Sequence, residues 1–358
     1  MRMVSLYHCR PGMRLAKSIF SVDGRVLLAK DMELTDTLIR KLEECGVTYV
    51  YIQDPLFDDV QAEPTIPDEL SAQAVNTIRQ LFQMQAQTFQ NHIAWNKLVR
   101  ELENVFESVY REILQNQHTM FCLNQIYTYD AYLYKHCYQV GVYAMVMAVQ
   151  LGFPKEKVRE IALGSFLHDI GKLCIPREII NKPGRLTPQE YEEVQRHTVY
   201  GYDILRQKRS FPLLSAHIAL QHHERLDGSG YPRKLKGDEI HEYAKMVAVA
   251  DVYDALTSRR SYRKALLPSV AMEWLYAGSG RQFETRYLAA FRNAIVLYPV
   301  GLTVKLSTGE RAVVVDNNTS APQRPIVRIF EDAEGRAVVP YELDLSKALT
   351  VQITQVEI

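Results

Sequence analysis

Seven side chains with metal-binding chemistry recur at near-regular intervals through the middle of this 358-residue chain. His136, His168, His197 and His222 follow one another at gaps of 32, 29 and 25 residues; Asp169 adjoins His168, His223 adjoins His222, and Asp251 follows 28 residues later. Each gap is about one helix plus one connection, so each helix of an antiparallel bundle contributes a ligand group to a shared centre. Each group also falls in the apolar phase of a helical pattern. His136 is in phase with Val140, Tyr143, Ala144 and Met147, His168 with Ile161, Gly164 and Ser165, and His222 with Leu214 and Ile218. Asp251 shares the face of Val247, Ala250 and Asp254. One such histidine alone reads as a satisfied core residue; seven groups in phase read as a metal site. Imidazole with carboxylate suits Fe, Mn, Co, Ni or Zn, and a ligand set without cysteine disfavours a structural zinc. Five histidines and two aspartates exceed the needs of one ion. A carboxylate beside a histidine, as in His168-Asp169, can bridge two ions, and such a pair can activate a water for in-line attack on phosphorus.

The elements that must position these groups are mostly helical. Thr187-Pro188-Gln189-Glu190 is a capping box with proline at the first helical position, and it opens a helix on which Val194, His197, Gly201 and Ile204 share a face. The fold class expected is mainly α: an all-α bundle core with a small α+β module before it and a small β-rich module after it. Residues 1–53 read as β-β-α-β, with a hairpin of Met13–Phe20 and Arg25–Ala29 around Val22-Asp23-Gly24, a helix over 36–44 capped by Thr35, and a strand over 47–52. Residues 54–68, rich in proline and acid, read as a linker. Residues 69–117 have no Gly or Pro and carry Ile78, Leu81, Phe82, Phe89, Leu98, Leu102, Val105, Val109 and Ile113 at helical spacing. They read as a long helical connector that packs on the following domain or pairs two copies of the chain. The catalytic domain is expected over 118–295. The runs TVKL, AVVV, IVRIF, RAVVP and TVQIT, with turns at Thr308-Gly309 and Glu334-Gly335, read as a β-barrel-like module over 296–358.

Three strings carry a resemblance to a known family: His168-Asp169-Ile170-Gly171-Lys172, His222-His223-Glu224-Arg225-Leu226-Asp227-Gly228-Ser229-Gly230-Tyr231-Pro232, and the run Asp251-Val252-Tyr253-Asp254-Ala255-Leu256-Thr257-Ser258-Arg259-Arg260. They resemble the signature blocks of the HD-GYP family, a branch of the HD phosphohydrolases, over roughly residues 120–295. The resemblance implies cyclic di-GMP phosphodiesterase activity, giving linear pGpG and, in many members, GMP, in a helical bundle around a metal centre of iron or manganese. It implies that His136, His168, Asp169 and Asp251 surround one ion and that Asp169 bridges to a second completed by His197, His222 and His223. A metal-bridging hydroxide would attack one phosphodiester, with both ions stabilising the developing charge. Lys172 would meet the scissile phosphate or the leaving oxygen, Arg260 and Arg263 the substrate phosphates, and Asp130 a guanine edge. The Gly228–Pro232 loop would shape the rim or a partner surface. Tyr132 stands where some relatives place a glutamate for a third metal, so two divalent ions are expected. The bulky Cys137-Tyr138-Gln139-Val140-Gly141 also departs from the family's small residues.

Composition limits the alternatives. With 42 Lys+Arg against 42 Asp+Glu, 47% hydrophobic and 23% charged residues, the chain is of globular type and has no broad basic surface for a nucleic-acid duplex. Any anion site must be local. The most apolar stretch, Val140–Val149, is too short to span a bilayer. Five cysteines without CxxC spacing predict reduced thiols and no disulfide framework, and a cytoplasmic location is expected. Two other readings remain: a receptor that binds the dinucleotide without turnover, and a hydrolase of another cyclic dinucleotide.

Overall fold

The computed structural model describes all residues except 21–25, 46, 48, 62–64, 85–91, 117–131, 183, 259–265, 319–320 and 358. The described residues form two compact units: one joins the two ends of the chain, residues 1–68 and 295–357, and the other contains residues 69–116 and 133–294.

In the first unit, β1 (Arg2–Ser5) pairs antiparallel with β4 (Tyr49–Ile52), Arg2 opposite Ile52 and Ser5 opposite Tyr49. A second ribbon pairs β2 (Ile19–Phe20) with β3 (Val26–Leu28). Helix α1 (Asp36–Glu44) starts where expected, because the Thr35 hydroxyl accepts from the Leu38 amide at 3.3 Å. Strand β1 had no alternation long enough to reveal it in the sequence. The β-rich runs near the C-terminus become β5 (Thr303–Leu306), β6 (Arg311–Asp316), β7 (Ile326–Glu331), β8 (Ala337–Asp344) and β9 (Ile353–Glu357). They form one antiparallel sheet in the order β8-β7-β6-β5-β9, and among the described residues no pairing joins β8 to β9. Val304, Leu306, Ala312, Val314, Val327 and Ile329 bury one face of this sheet together with Met3 and Tyr51 from the N-terminal ribbon. Phe57 and Val60, in the proline-rich acidic segment, pack with Val313 and Phe330, and Asp59 pairs with Arg328 at 2.7 Å.

The second unit is helical: α2 (Asp68–Gln83), α3 (His92–Gln115), α4 (Tyr132–Gln150), α5 (Lys155–Phe166), α6 (Arg177–Ile180), α7 (Pro188–Gln195), α8 (His197–Arg206), α9 (Leu213–Gln221), α10 (Glu242–Thr257), α11 (Pro268–Ala277) and α12 (Thr285–Ala294). The apolar stripe of α3, including Trp95, Leu102, Val105, Phe106 and Val109, is buried, and its polar edge meets α5 through Arg159–Glu103 and Lys155–Glu107 pairs. Helix α4 is apolar on every side and is buried continuously from residue 136 to 148, as expected of a central helix. The ring of Phe166 lies against Gly141 of α4, where any side chain would collide with it, and stacks on Tyr138 at 6.3 Å. No described helix is long and apolar enough to cross a membrane.

Two departures from the expected helices matter for chemistry. The helix beginning at the capping box, where Thr187 and Glu190 satisfy each other's amides, breaks at Arg196, so His197 opens a new helix. Helix α5 ends at Phe166, so His168 and Asp169 lie beyond it in the turn that leads into a 3-10 segment, Ile170–Cys174.

Candidate metal centre

The ligands come from two kinds of backbone. His136 and Asp251 sit inside α4 and α10, whereas His168, Asp169, His197, His222 and His223 sit at helix ends or just beyond them. Helix ends of different elements can converge more closely than helix middles, because no cylinder of side chains separates them. The turn at 170–174 packs on α8, and α8 packs on α9, so Asp169, His197 and His222 meet.

All seven expected ligands converge, in two sets whose ligating atoms lie within 4.8 Å of one another: His136, His168 and Asp251, and Asp169, His197, His222 and His223. Asp169 faces both. Its Oδ2 lies 3.4 Å from His168 Nε2 and 3.7 Å from His136 Nε2, while its Oδ1 lies 3.3 Å from His197 Nε2 and 4.0 Å from His222 Nε2. His136 Nε2 also meets Asp251 Oδ1 at 3.1 Å, and His223 Nδ1 lies 3.6 Å from Asp251 Oδ2. The Lys172 ammonium donates to Asp169 Oδ2 at 2.5 Å from one 3-10 turn further on. A continuous α-helix was not needed to bring it there.

Ring orientation is set by the backbone. His168 Nδ1 pairs with the Ser165 carbonyl at 2.7 Å, His197 Nδ1 with the Val194 carbonyl at 2.6 Å, and His222 Nδ1 with the Ile218 and Ala219 carbonyls at 3.0 Å. A carbonyl only accepts, so each Nδ1 carries the proton and each Nε2 turns a lone pair to the centre. His197 Nε2 and His222 Nε2 then face each other at 3.5 Å with no proton between them, and His168 Nε2 and Asp169 Oδ1 are buried without a hydrogen-bond partner. Native proteins satisfy such groups, and a cation bound between them would do so. The residues fit a divalent metal centre.

Electrostatics agree with that reading at the His197 set. Burial holds His197 down at about 4, and burial with neighbouring imidazoles holds His222 and His223 well below the usual histidine range, so these rings are neutral at pH 7. Burial would raise Asp169, but Lys172 and His168 outweigh it and hold the carboxyl well below its usual range. Asp251 is likewise lowered against its burial, by His136 and His223. Burial opposes protonation of His136, yet its bonds to Asp251 and Asp254 prevail and hold it up at about 9.

Three residues were not singled out from the sequence. Cys137, beside the first ligand, comes into ligand range of His168 and Asp169, so the expectation of a cluster with no thiol nearby is corrected; burial and Asp169 keep that thiol protonated. Cys9, Cys45 and Cys174 are free as well. Asp254, one turn past Asp251, takes the Nδ1 of His136 at 2.6 Å, and its only signal was its apolar phase. Glu224, inside the longest motif, is 2% exposed and accepts from the Arg233 and Leu235 amides at 2.8 and 3.0 Å.

Those last bonds fold the 228–232 loop back on the ligands. Gly230 passes so close to His223, Glu224 and Arg225 that a Cβ would stand 2.5 Å from their backbone, and the Tyr231 ring covers His223 at 4.7 Å. Removing the Glu224 carboxylate orphans two amides. Glu224→Ala is therefore expected to lower stability by about 1–3 kcal/mol and to loosen His223, measured as a drop in melting temperature with weaker Mn(II) retention. Asp130, Arg260, Arg263 and the side chain of Tyr132 lie outside the described residues, so the expected substrate contacts other than Lys172 have no geometry here.

Comparison with known proteins agrees with this arrangement. Residues 108–286 match the family described as HD domain, and residues 303–357 match the KOW domain associated with HD domain. The chain is 35% identical over 246 residues to a cyclic di-GMP phosphodiesterase of Pseudomonas aeruginosa, covering 68% of this chain and 59% of that protein. It is 37% identical over 233 residues to the cyclic di-GMP phosphodiesterase response regulator RpfG of Xanthomonas campestris, covering 65% and 60%. It is 41% identical over 152 residues to 3'3'-cGAMP-specific phosphodiesterase 2 of Vibrio cholerae, covering 42% and 29%. The chain thus spans about 60% of the length of the first two of these relatives. Its HD pair, its buried histidines and its Gly-Tyr-Pro loop, together with the match over half its length, show that the chain belongs to the HD domain family, in its HD-GYP branch.

Proposed function

We propose that this chain is a metal-dependent phosphodiesterase that opens cyclic di-GMP to pGpG, with onward cleavage to GMP as a second step. The observation that carries the reading is Asp169, buried and turned with one oxygen toward each histidine set. In this reading His136, His168, Asp169 and Asp251 hold one divalent ion, and Asp169, His197, His222 and His223 hold the other, iron or manganese in both positions. Bound there, the two ions would supply an acidified water and neutralise charge on the phosphoryl oxygens. The chain's own residues do the rest. The backbone-held imidazoles keep their Nε2 atoms unprotonated, and Tyr231 shields one face of His223 from water. Five of the seven ligand groups are at most 2% exposed and Asp251 is 6% exposed, whereas His223 and the neighbouring Lys172 have 20% and 25% of their side chains exposed, so a phosphate would approach from their side. Lys172 would meet it with a charge-assisted hydrogen bond. Arg260, Arg263 and Asp130 remain candidates for the substrate phosphates and a base edge on the strength of the motif alone.

The complete ligand set disfavours a receptor without turnover. A preference for another cyclic dinucleotide draws support from the identity of 36–41% to three relatives named 3'3'-cGAMP-specific phosphodiesterases. The apolar face of α3 is buried within the helical unit, so of the two readings of 69–117 the pairing of two copies draws no support from it. The 228–232 loop is offered as a rim element with a partner surface on its outer side. The domain order proposed is the N-terminal module, the helical connector, the HD-GYP domain and the β-rich module. Protein purified without oxygen should contain about two Fe or Mn per chain and convert cyclic di-GMP to pGpG; a panel with 3'3'-cGAMP and cyclic di-AMP, ranked by kcat/KM, fixes the substrate. Metal-loaded, reduced protein that turns over none of them would refute the reading.

A further inference from the structure

The two ligand sets are not equivalent, and the difference lies behind the ligands. His168, His197 and His222 rest their outer ring nitrogen on neutral backbone carbonyls. His136 rests its own on a carboxylate, Asp254 Oδ2 at 2.6 Å, and Asp254 is 1% exposed. Asp254 stands three residues after Asp251 on α10, so one helical turn presents both carboxylates to His136: Asp251 to Nε2 at 3.1 Å and Asp254 to Nδ1. The Ser258 hydroxyl, one turn further, donates to the same Asp254 oxygen at 3.3 Å. A carboxylate on the far nitrogen fixes tautomer and ring orientation and makes the ligating nitrogen a stronger donor than a carbonyl does.

The ligand charges point the same way. The His136 set combines Asp251 with a share of Asp169; the His197 set has three neutral imidazoles and only that share of Asp169. Lys172 pairs with Asp169 and has a quarter of its side chain exposed, and the Arg225 guanidinium, which donates to the His222 carbonyl at 3.1 Å, adds positive charge beside the His197 set. The His197 set also contains the most exposed ligand, His223.

We infer that Asp254 is a positioning residue for His136, and that it makes the His136–His168–Asp251 position the tighter of two metal positions, filled first, while the His197–His222–His223 position is weaker and exchanges. The inference rests on metal binding at this cluster. It does not depend on which dinucleotide is cleaved.

The test is a Mn(II) titration of the full chain after chelator treatment, followed by calorimetry and by the spin-resonance signal of free Mn(II). Wild-type protein should bind two equivalents in unequal steps. Asp254→Asn keeps the shape and an acceptor oxygen but removes the charge; it should weaken the first step about 10–100-fold and leave the second within about threefold. His223→Ala should keep the first step and lose the second. Melting of the metal-free variants reports whether each is folded, and the wild-type and His223→Ala titrations decide the filling order even if Asp254→Asn is not. Equal steps in the wild type, a first step unchanged in folded Asp254→Asn, or loss of the first step in His223→Ala would overturn the inference. Unequal filling in a protein that cleaves no cyclic dinucleotide would uphold it while removing the proposed activity; normal cleavage with equal filling would do the reverse.

Discussion

Asp169→Asn is expected to reduce the proposed hydrolysis of cyclic di-GMP by at least ~10³-fold, about 4 kcal/mol of transition-state stabilisation at 1.36 kcal/mol per tenfold. The substitution changes almost no volume, so the loss would come from charge and donor pattern. Asp169 lies within 4.0 Å of four imidazoles and holds Lys172 at 2.5 Å. An amide removes the negative charge both ligand sets share, and it offers hydrogens to one set in place of a lone pair. Metal content should fall with activity, and Lys172 should lose its anchor. Elemental analysis beside the product assay separates the two effects. Asp169→Asn that retains two ions and turns over within about tenfold of the wild type would mean that this carboxylate is not the shared ligand.

The second large effect is expected at a residue with no side chain. Gly171 lies where the turn after Asp169 passes against the first turn of α8, and an added Cβ would run into the His197 carbonyl oxygen and the Gly201 amide nitrogen. Both obstacles are backbone atoms within a helix, so the strain cannot be relieved by rotating a side chain. Gly171→Ala should push the turn away from α8, separating Asp169 Oδ1 from His197 Nε2, now 3.3 Å apart. Overpacking of this kind costs about 1–3 kcal/mol, and a misplacement near 1 Å costs about 10²-fold in rate. Thermal melting and kcat on metal-loaded protein measure both. Gly201→Ala is the control: a Cβ there would stand 3.3 Å from the Gly171 nitrogen, and a much smaller effect is expected. Equal losses in the two variants would show that the close contact is not what aligns the ligands.

The sequence revealed which residues meet better than how they meet. The seven ligands were legible because identity and spacing survive projection onto a line, and a long motif such as His222 to Pro232 leaves little to chance. The expectation that each group rides on the apolar face of a helix did not hold throughout. Phase with apolar neighbours continues smoothly through His168 and His197, but α5 stops at Phe166 and the chain restarts at His197. Periodicity reports burial, and a buried turn carries the same signal as a buried helix. Asp254 and Glu224 escaped for a related reason. Each stands among residues with assigned roles, and only tertiary contact tells a ligand from the group that holds one. In the flanking modules the C-terminal strands were readable from their apolar alternation, whereas the four-residue β1 exists because β4 lies beside it.

Because strands from both ends of the chain share one core, the helical unit is in topological terms an insertion within a smaller protein. Met3 and Tyr51 bury beside Val304 and Val314, and the Met3 amide donates to the Gly301 carbonyl at 2.7 Å. Deleting the last sixty or so residues would therefore strip the N-terminal ribbon of its partner surface. The chain leaves this composite body after Asp68 and enters it again at Ile295, so a ligand or partner that deforms the body would act on the proposed metal-binding helices through both of these connections.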